Sequence, residues 1–325
     1  MSVLVVAEFE GGRWHPVTRE ALAAGQQLAA GLGADLRALV LGAGASAIAA
    51  ELAAAKLAEV LVAEHELLAP YTPDGFSAAL RQVVERERPA AVLFPHTYQS
   101  RDYAPKAAAA LGKALVSDAV ALRVEGGRPI FTRQLFQGKL NADVVAEGYG
   151  VVFASVQSGA FRADMLAQGD APAPVRLVEI ALEPSSIRAR PLGRYRESKG
   201  GVDLSAAERI VSVGRGLKDP ENIPLAEKLA AALGAEIAGS RPVIDNGWLP
   251  VERQVGSSGQ TVAPKLYLAL GVSGAIQHVV GMKGSRVVVA VNKDASAPIF
   301  EIADYGIVGD LFEVVPALIA ELEKA

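Results

Sequence analysis

From its first residues the chain alternates short unbroken apolar runs with longer stretches in which apolar residues recur at helical spacing. Residues 3–9 (VLVVAEF), 36–42 (LRALVLG), 59–65 (EVLVAEH) and 90–96 (AAVLFPH) have the length and continuity of strands buried on both faces. Residues 18–31, 45–56, 74–88 and 100–112 carry Ala and Leu at helical spacing, and Gly31, Gly33 and Pro89 act as stop signals. Strand–helix alternation with wholly apolar strands predicts a doubly wound α/β unit on a parallel sheet. The pattern changes over residues 118–157. Shorter alternating runs, separated by GG at 126–127, QGK at 137–139 and EGYG at 147–150, predict antiparallel strands added to that sheet. Residues 158–208 are richer in Pro, Gly and charge, with PAP at 172–174 and SKGG at 198–201, and read as a crossing segment and linker.

A second α/β pattern starts at Arg209. Residues 209–214, 236–239, 266–272 and 286–292 read as strands, 305–310 as a short strand and turn, and 222–233 and 311–323 as helices. The expected fold class is α/β: two doubly wound domains with mainly parallel sheets, the N-terminal one extended by antiparallel strands. We place the domains at residues 1–200 and 201–325, in keeping with about 150 residues per domain for a chain of 325. The two halves share a style and no sequence period.

Composition removes several classes of chemistry. There is no cysteine, so disulfides, thiol catalysis and cysteine-ligated clusters are excluded. The four histidines, His15, His65, His96 and His278, are far apart in sequence and do not suggest a metal site. A net charge of −4 gives no basic field for nucleic acid. The opening MSVLVVAEFE runs directly into a strand-like segment, and no apolar stretch is long enough for a membrane span. The expectation is a bacterial-type cytoplasmic protein.

Ligands of open α/β sheets sit outside the carboxyl ends of the strands. In the first half those ends are Glu8, Gly42-Ala43-Gly44, Glu64 and Pro95-His96-Thr97. GAGA at 42–45 matches part of a dinucleotide fingerprint but lacks its full spacing, and Ala-rich helix starts often produce such strings. His96 reads as a strand-end histidine with a backbone partner. The second half differs at every strand end: Gly214-Arg215-Gly216, Ser240-Arg241-Pro242, VGSSGQT at 255–261, Ser273 to His278, Asn292-Lys293-Asp294 and Gly309-Asp310-Leu311. Any one of these is a turn. Together, small residues that admit close backbone approach and free amides at helix starts suit a large phosphate-bearing ligand. Ser273-Gly274 would begin a short helix over an anionic group, with Gln277 and His278 about one turn on.

The segment LYLALGVSGAIQHVVGMKGSRVVVAVN (266–292) resembles the signature of the electron transfer flavoprotein α-subunit family. The resemblance continues through KDASAPIFEIADYGIVGDLFEVVPAL (293–318) and includes VSVGRGL (211–217), GSRPVIDNGW (239–248) and QVGSSGQTVAPKLY (254–267). In the N-terminal half RDYAPKAAAALG (101–112) is the most family-like string. The resemblance implies an FAD-binding C-terminal domain and a β-subunit partner. It also implies an electron carrier, not an enzyme, between flavin dehydrogenases, such as acyl-CoA dehydrogenases of fatty acid β-oxidation, and a membrane quinone oxidoreductase.

Carried over by motif, Arg215 contacts the cofactor's phosphate region. Ser240 and Arg241 meet the flavin, with the Arg241 guanidinium near the ring system. Val255, Gly256, Ser257 and Ser258 line the flavin, and the Ser258 hydroxyl reaches N5. Many relatives have Gln-Thr at 257–258, and an ungapped match keeps a hydroxyl at 258. Ser273, Gly274, Ala275, Ile276, Gln277 and His278 hold the pyrophosphate and the pyrimidine edge, with His278 near O2. Asn292, Asp310 and Leu311 meet the adenosine end. A cation and hydrogen-bond donors at that edge stabilise the negative charge of a reduced flavin. Two other readings remain: a flavin- or nicotinamide-dependent oxidoreductase with its own substrate, and a non-redox nucleotide-binding protein. The N-terminal half, apolar and without a convincing ligand site, is expected to serve the subunit interface.

Overall fold

The computed structural model describes residues 1–136, 138–147, 150–192 and 203–324. They form two compact units, the first drawing on residues 1–135 and 139–194, the second on residues 136–138 and 195–325. The boundary expected at 200/201, the SKGG string and parts of the QGK and EGYG turns lie outside the described residues.

In the first unit the order is β1 (Ser2–Ala7), a small hairpin of β2 (Phe9–Glu10) and β3 (Arg13–Trp14), α1 (Pro16–Leu32), β4 (Asp35–Leu41), α2 (Ala45–Leu52), β5 (Glu59–Ala63), α3 (Pro73–Glu87), β6 (Ala91–Pro95) and α4 (Tyr98–Ala110). Then follow β7 (Leu115–Glu125), β8 (Arg128–Leu135), β9 (Leu140–Val144), β10 (Val152–Val156) and β11 (Val175–Leu177). The main sheet has nine strands in the order β11-β5-β4-β1-β6-β10-β7-β8-β9. Period-2 alternation assigns its two cores. Val3 and Val5 pack with α1 and α2, while Leu4 and Val6 pack with Phe76 and Leu80 of α3 and Tyr103 of α4.

Two expectations need correction. Of the segments expected to be antiparallel, β7, β8 and β9 are, but β10 lies parallel between β6 and β7. The reason is in its composition. Phe153, Ala154 and Val156 are fully buried, so the strand needs cover on both faces and takes an interior place. The stretch 158–208 is not only a linker: Val175–Leu177 pairs in parallel with β5 and extends the sheet edge.

The second unit contains β12 (Arg209–Val213), α5 (Ile223–Leu233), β13 (Glu236–Gly239), α6 (Arg241–Asp245), β14 (Leu266–Leu270), α7 (Ile276–Val280), β15 (Val288–Asn292), β16 (Tyr305–Val308) and α8 (Leu311–Leu322). Its five strands are all parallel, in the order β13-β12-β14-β15-β16. Helices α5 and α8 cover one face through Leu229, Val315 and Ile319. The other face is closed by Leu204, Val255, Val262, Met282 and Ile299 from short or irregular segments. The chain reverses direction across the sheet between β12 and β14, which puts the ligand crevice of this topology at their carboxyl ends.

One half-buried carboxylate ties the first unit's stability to pH. Glu20 on α1 accepts a 2.6 Å hydrogen bond from the Gly159 amide, and burial pushes its pKa up to about 7. The folded state therefore holds a proton that the unfolded chain releases near the ordinary carboxylate value. Stability falls as pH rises from about 4.5 through 7. Glu20→Gln is expected to raise the unfolding free energy at pH 8 by on the order of 2–3 kcal/mol, with a higher melting midpoint there and an unchanged one near pH 4. Thermal melts at the two pH values check this.

Candidate functional site

The crevice between β12 and β14 is built by glycine. The Gly214 amide donates to the Leu270 carbonyl at 2.8 Å, and the Gly216 amide donates to the Gly271 carbonyl at 3.1 Å. A Cβ on Gly214 would lie 2.2 Å from the Gly271 oxygen, and one on Gly216 would lie 2.6 Å from the Gly271 Cα. Two strand ends thus meet backbone to backbone, closer than any side chain would allow. Gly256 and Gly281 repeat the arrangement next door, where a Cβ on Gly281 would meet the Gly256 amide nitrogen at 2.4 Å. Above this floor stands a rim of exposed residues: Arg215, Arg241, Ser257, Ser258, Ser273, Ala275, Ile276, Gln277 and Asp310.

Ser240 caps the amino end of α6 and is almost buried, its amide held by the Val213 carbonyl at 3.0 Å. Arg241 follows it with an exposed side chain, 3.3 Å from Asp245 one turn on. Exposed pairs of this kind hold a guanidinium weakly, so it remains open to another partner. The Ser257 amide donates to the Gln277 carbonyl at 2.7 Å and joins the two segments of the rim. Ser258 presents its hydroxyl at the surface, where it accepts from Gln254 at 2.9 Å. Val255 and Gly256 are buried, and the Val255 side chain belongs to the core, so only backbone is offered at that position.

The helix expected to begin at Ser273-Gly274 begins later, at Ile276, with Ala275 as its cap. Gly274 has φ +84°, and its Cα side is packed so closely on Ile299 that a Cβ would lie 2.2 Å from the Ile299 nitrogen. The Ser273 carbonyl accepts from that same amide at 3.1 Å. This tether holds Gly274 at a positive φ outside the helix and delays its start. Gln277 and His278 then part company: Gln277 is exposed, and His278 is turned inward with 6% of its surface accessible. The His278 Nε2 shares a 2.9 Å hydrogen bond with the Tyr267 hydroxyl, whose ring stands edge-on to the imidazole. Its Nδ1 is buried with no hydrogen-bond partner. Burial lowers the His278 pKa to about 4, and the neighbouring Val255 backbone offsets only part of this.

The outer residues are committed more heavily to structure. Asn292 donates to the Val272 carbonyl at 3.0 Å and accepts from the Asp294 amide at 3.0 Å. Asp310 caps α8 through the Phe312 amide at 2.9 Å, with Lys218 4.0 Å away. The Leu311 side chain is core, which leaves its amide in the first turn of α8. Sequence reasoning missed Tyr267 and Gln254, the buried polar groups that hold His278 and Ser258. A polar tip inside the apolar run LYLALGV was the available signal for Tyr267.

The first unit's candidates are satisfied internally. Glu64 accepts hydrogen bonds from the Gly44 amide at 2.8 Å and the Ser46 amide at 3.0 Å, so the GAGA turn already holds a carboxylate at the start of α2. Glu8, at the switch between β1 and β6, binds the hydroxyls of Thr97 and Ser100 and is pushed up in pKa by burial. His96 has a side-chain partner, not the expected backbone one: its Nδ1 lies 2.8 Å from the Ser155 Oγ.

Residues 3–183 match the family model described as "Electron transfer flavoprotein domain", and residues 203–283 match "Electron transfer flavoprotein FAD-binding domain". The chain is 39% identical to the electron transfer flavoprotein subunit alpha of Bacillus subtilis over 322 residues, which is 99% of this chain and 97% of that protein. It is 38% identical to Protein FixB of Clostridium saccharobutylicum, covering 99% and 96% of the two chains. It is 37% identical to the acryloyl-CoA reductase electron transfer subunit beta of Anaerotignum propionicum, covering 99% and 95%. Asn292, Asp310 and Leu311 lie beyond the matched FAD-binding region. The close glycine contact, which no Cβ could enter, and the exposed small and polar residues at the strand ends fit a dinucleotide cofactor.

Two outcomes follow. Gly216→Ala should destabilise the second unit by about 1–3 kcal/mol, because backbone on both strands must move, and chemical denaturation checks it. His278 should remain neutral from pH 8 to about 5, with an imidazole nitrogen NMR midpoint near 4. A lowered imidazole pKa also means that its stability contribution is complete above about 6.5 and is lost as pH falls toward 4.

Proposed function

The chain belongs to the electron transfer flavoprotein α-subunit family, and from that premise we propose that it pairs with a β-subunit and carries electrons from flavin dehydrogenases to a membrane quinone oxidoreductase. It is an FAD-binding electron-transfer subunit and does not turn over a substrate of its own. In this reading acyl-CoA dehydrogenases are among the donors, and the protein works in a bacterial cytoplasm. No described helix is long and apolar enough to cross a membrane. The domain at residues 1–200 serves the subunit interface, and that at residues 201–325 binds the cofactor.

The observation that carries the proposal is the glycine-floored crevice at β12 and β14 with its exposed polar rim. Bound FAD supplies reversible electron uptake. This chain's residues bind and tune it. Arg215 would hold the phosphates, its charge offsetting theirs, and the amides that follow Gly274 and the amide of Leu311 would donate to cofactor oxygens. The Ser258 hydroxyl, oriented by Gln254, offers a hydrogen bond to N5. His278 acts as a neutral group whose ring is fixed by Tyr267. Arg241 then supplies the fixed positive charge near the flavin, and it does so at any physiological pH.

Co-expression with a β-subunit should yield a yellow complex whose flavin absorbance bleaches in stepwise reductive titration. A colourless complex that takes up no added FAD would overturn the reading and favour a non-redox nucleotide-binding protein. Turnover of a small substrate by the chain alone would favour an oxidoreductase. Arg241→Ala should lower the flavin midpoint potential by on the order of 60 mV, equivalent to about tenfold in a one-electron equilibrium, while FAD binding changes less. An unchanged potential would remove Arg241 from this role.

A further inference from the structure

The first unit holds a polar cavity lined by its own residues. Its volume is about 320 Å³, and its wall comes from the ends of β6 and β10, the start of β7, β8 and the first turns of α4. The polar groups in that wall are His96, Ser100, Arg101, Ser117, Asp118, Arg133 and Ser155, with Pro105 and Leu115 as apolar backing.

The charges are unbalanced. Arg133 Nε is buried without a hydrogen-bond partner, and no ion pair or hydrogen bond joins this side chain to another described residue. Arg101 is exposed at the mouth, stacked over the Tyr98 ring at 5.5 Å, with no carboxylate paired to it among the described residues. The one carboxylate in the wall is Asp118. It sits where the pairing of β7 shifts register and has φ +60°, a conformation that costs a non-glycine residue about 1–3 kcal/mol. Bulges of this kind re-aim a side chain. The Asp118 amide donates to Ser155 Oγ at 3.0 Å, and its Oδ2 accepts from Gln157 at 3.1 Å. Its Oδ1 lies 3.7 Å from His96 Nε2. Burial, with Arg101 and Arg133 nearby, lowers the His96 pKa against the pull of Asp118. With His96 neutral, two guanidinium groups face one carboxylate, and a desolvated donor on Arg133 is unanswered. An unanswered buried donor of this type is costly unless a ligand meets it.

Ser155, His96 and Asp118 superficially repeat a hydrolytic triad. Ser155 is only 3% exposed, however, and its oxygen already accepts the Asp118 amide, so it cannot reach a substrate. The arrangement suits binding.

We propose that this cavity binds the phosphoryl group of a small molecule. Arg101 and Arg133 grip its oxygens, and Asp118 accepts a hydrogen bond from a ligand hydroxyl. Planar guanidinium forks match phosphate oxygens. The carboxylate adds a selection: it favours an anion that still carries a proton, such as hydrogen phosphate, or a hydroxyl-bearing phosphate monoester, and it repels a fully ionised anion such as sulfate.

The test is calorimetric titration of the flavin-loaded α/β complex at constant ionic strength with inorganic phosphate, glycerol 3-phosphate and sulfate. Saturable phosphate binding is expected, weakened about tenfold or more by Arg133→Met and by Arg101→Met, as loss of a charge-assisted contact requires. Arg101 is exposed, so its replacement leaves the fold intact even if Arg133→Met does not. Sulfate should bind more weakly than phosphate. Tighter binding of glycerol 3-phosphate would identify a phosphate monoester as the ligand, and equal or weaker binding would identify the free ion. No saturable phosphate binding in the millimolar range, or binding unchanged in the Arg101→Met complex, would overturn the proposal.

Discussion

The second unit depends on one close contact, the backbone-to-backbone meeting of Gly214 and Gly216 with Gly271. Two parallel strands normally diverge into loops at their carboxyl ends, and the side chains there fill the gap between them. Here two amide–carbonyl hydrogen bonds hold the loops together, and no side chain can be added to either without collision. The contact closes this end of the sheet with backbone alone. A large ligand can then approach main-chain donors directly, which is how a dinucleotide is held without a dedicated cation at every phosphate.

The two units solve the same topological problem in opposite ways. In the first, the switch between β1 and β6 is filled by the Glu8 carboxylate, which takes the hydroxyls that a ligand would otherwise take. The helix start at GAGA is likewise occupied by Glu64. An internal carboxylate satisfies free amides as well as a phosphate does, and it costs no association entropy. The second unit places glycine and short polar residues at the corresponding positions. A small number of strand-end residues thereby separates the two switch points, although both units are built on the same alternation of strand and helix.

Much of this was legible in the chain. Apolar continuity identified β1, β4, β5, β6, β12, β14 and β15 as buried strands, because that signal is local. What could not be read was pairing. β10 looks like its antiparallel neighbours until its place between β6 and β7 is known, and β11 lies in a stretch whose Pro and Gly content reads as linker. Side-chain direction was equally hidden. Gln277 and His278 are adjacent in sequence, yet the tether of Ser273-Gly274 to Ile299 shifts the helix start and sends one outward and the other inward. Asp118 and Arg133 gave no sequence signal, because their meaning comes from a bulge and from the absence of partners in space.

The inward turn of His278 has an electrostatic consequence. An imidazole near a flavin could compensate charge by protonation, and the strength of that effect would then vary with pH through the physiological range. Burial opposes this option, holding the ring neutral down to about pH 4 before any cofactor charge is added. Tyr267 further fixes one ring nitrogen, so the imidazole cannot rotate to seek another partner without breaking a buried hydrogen bond. Fixed charge at the rim therefore falls to guanidinium groups, which do not titrate there. For an electron-transfer subunit, a neutral, immobile imidazole combined with permanent cations is the arrangement whose charge varies least with pH. It exchanges some strength of charge compensation for independence from pH.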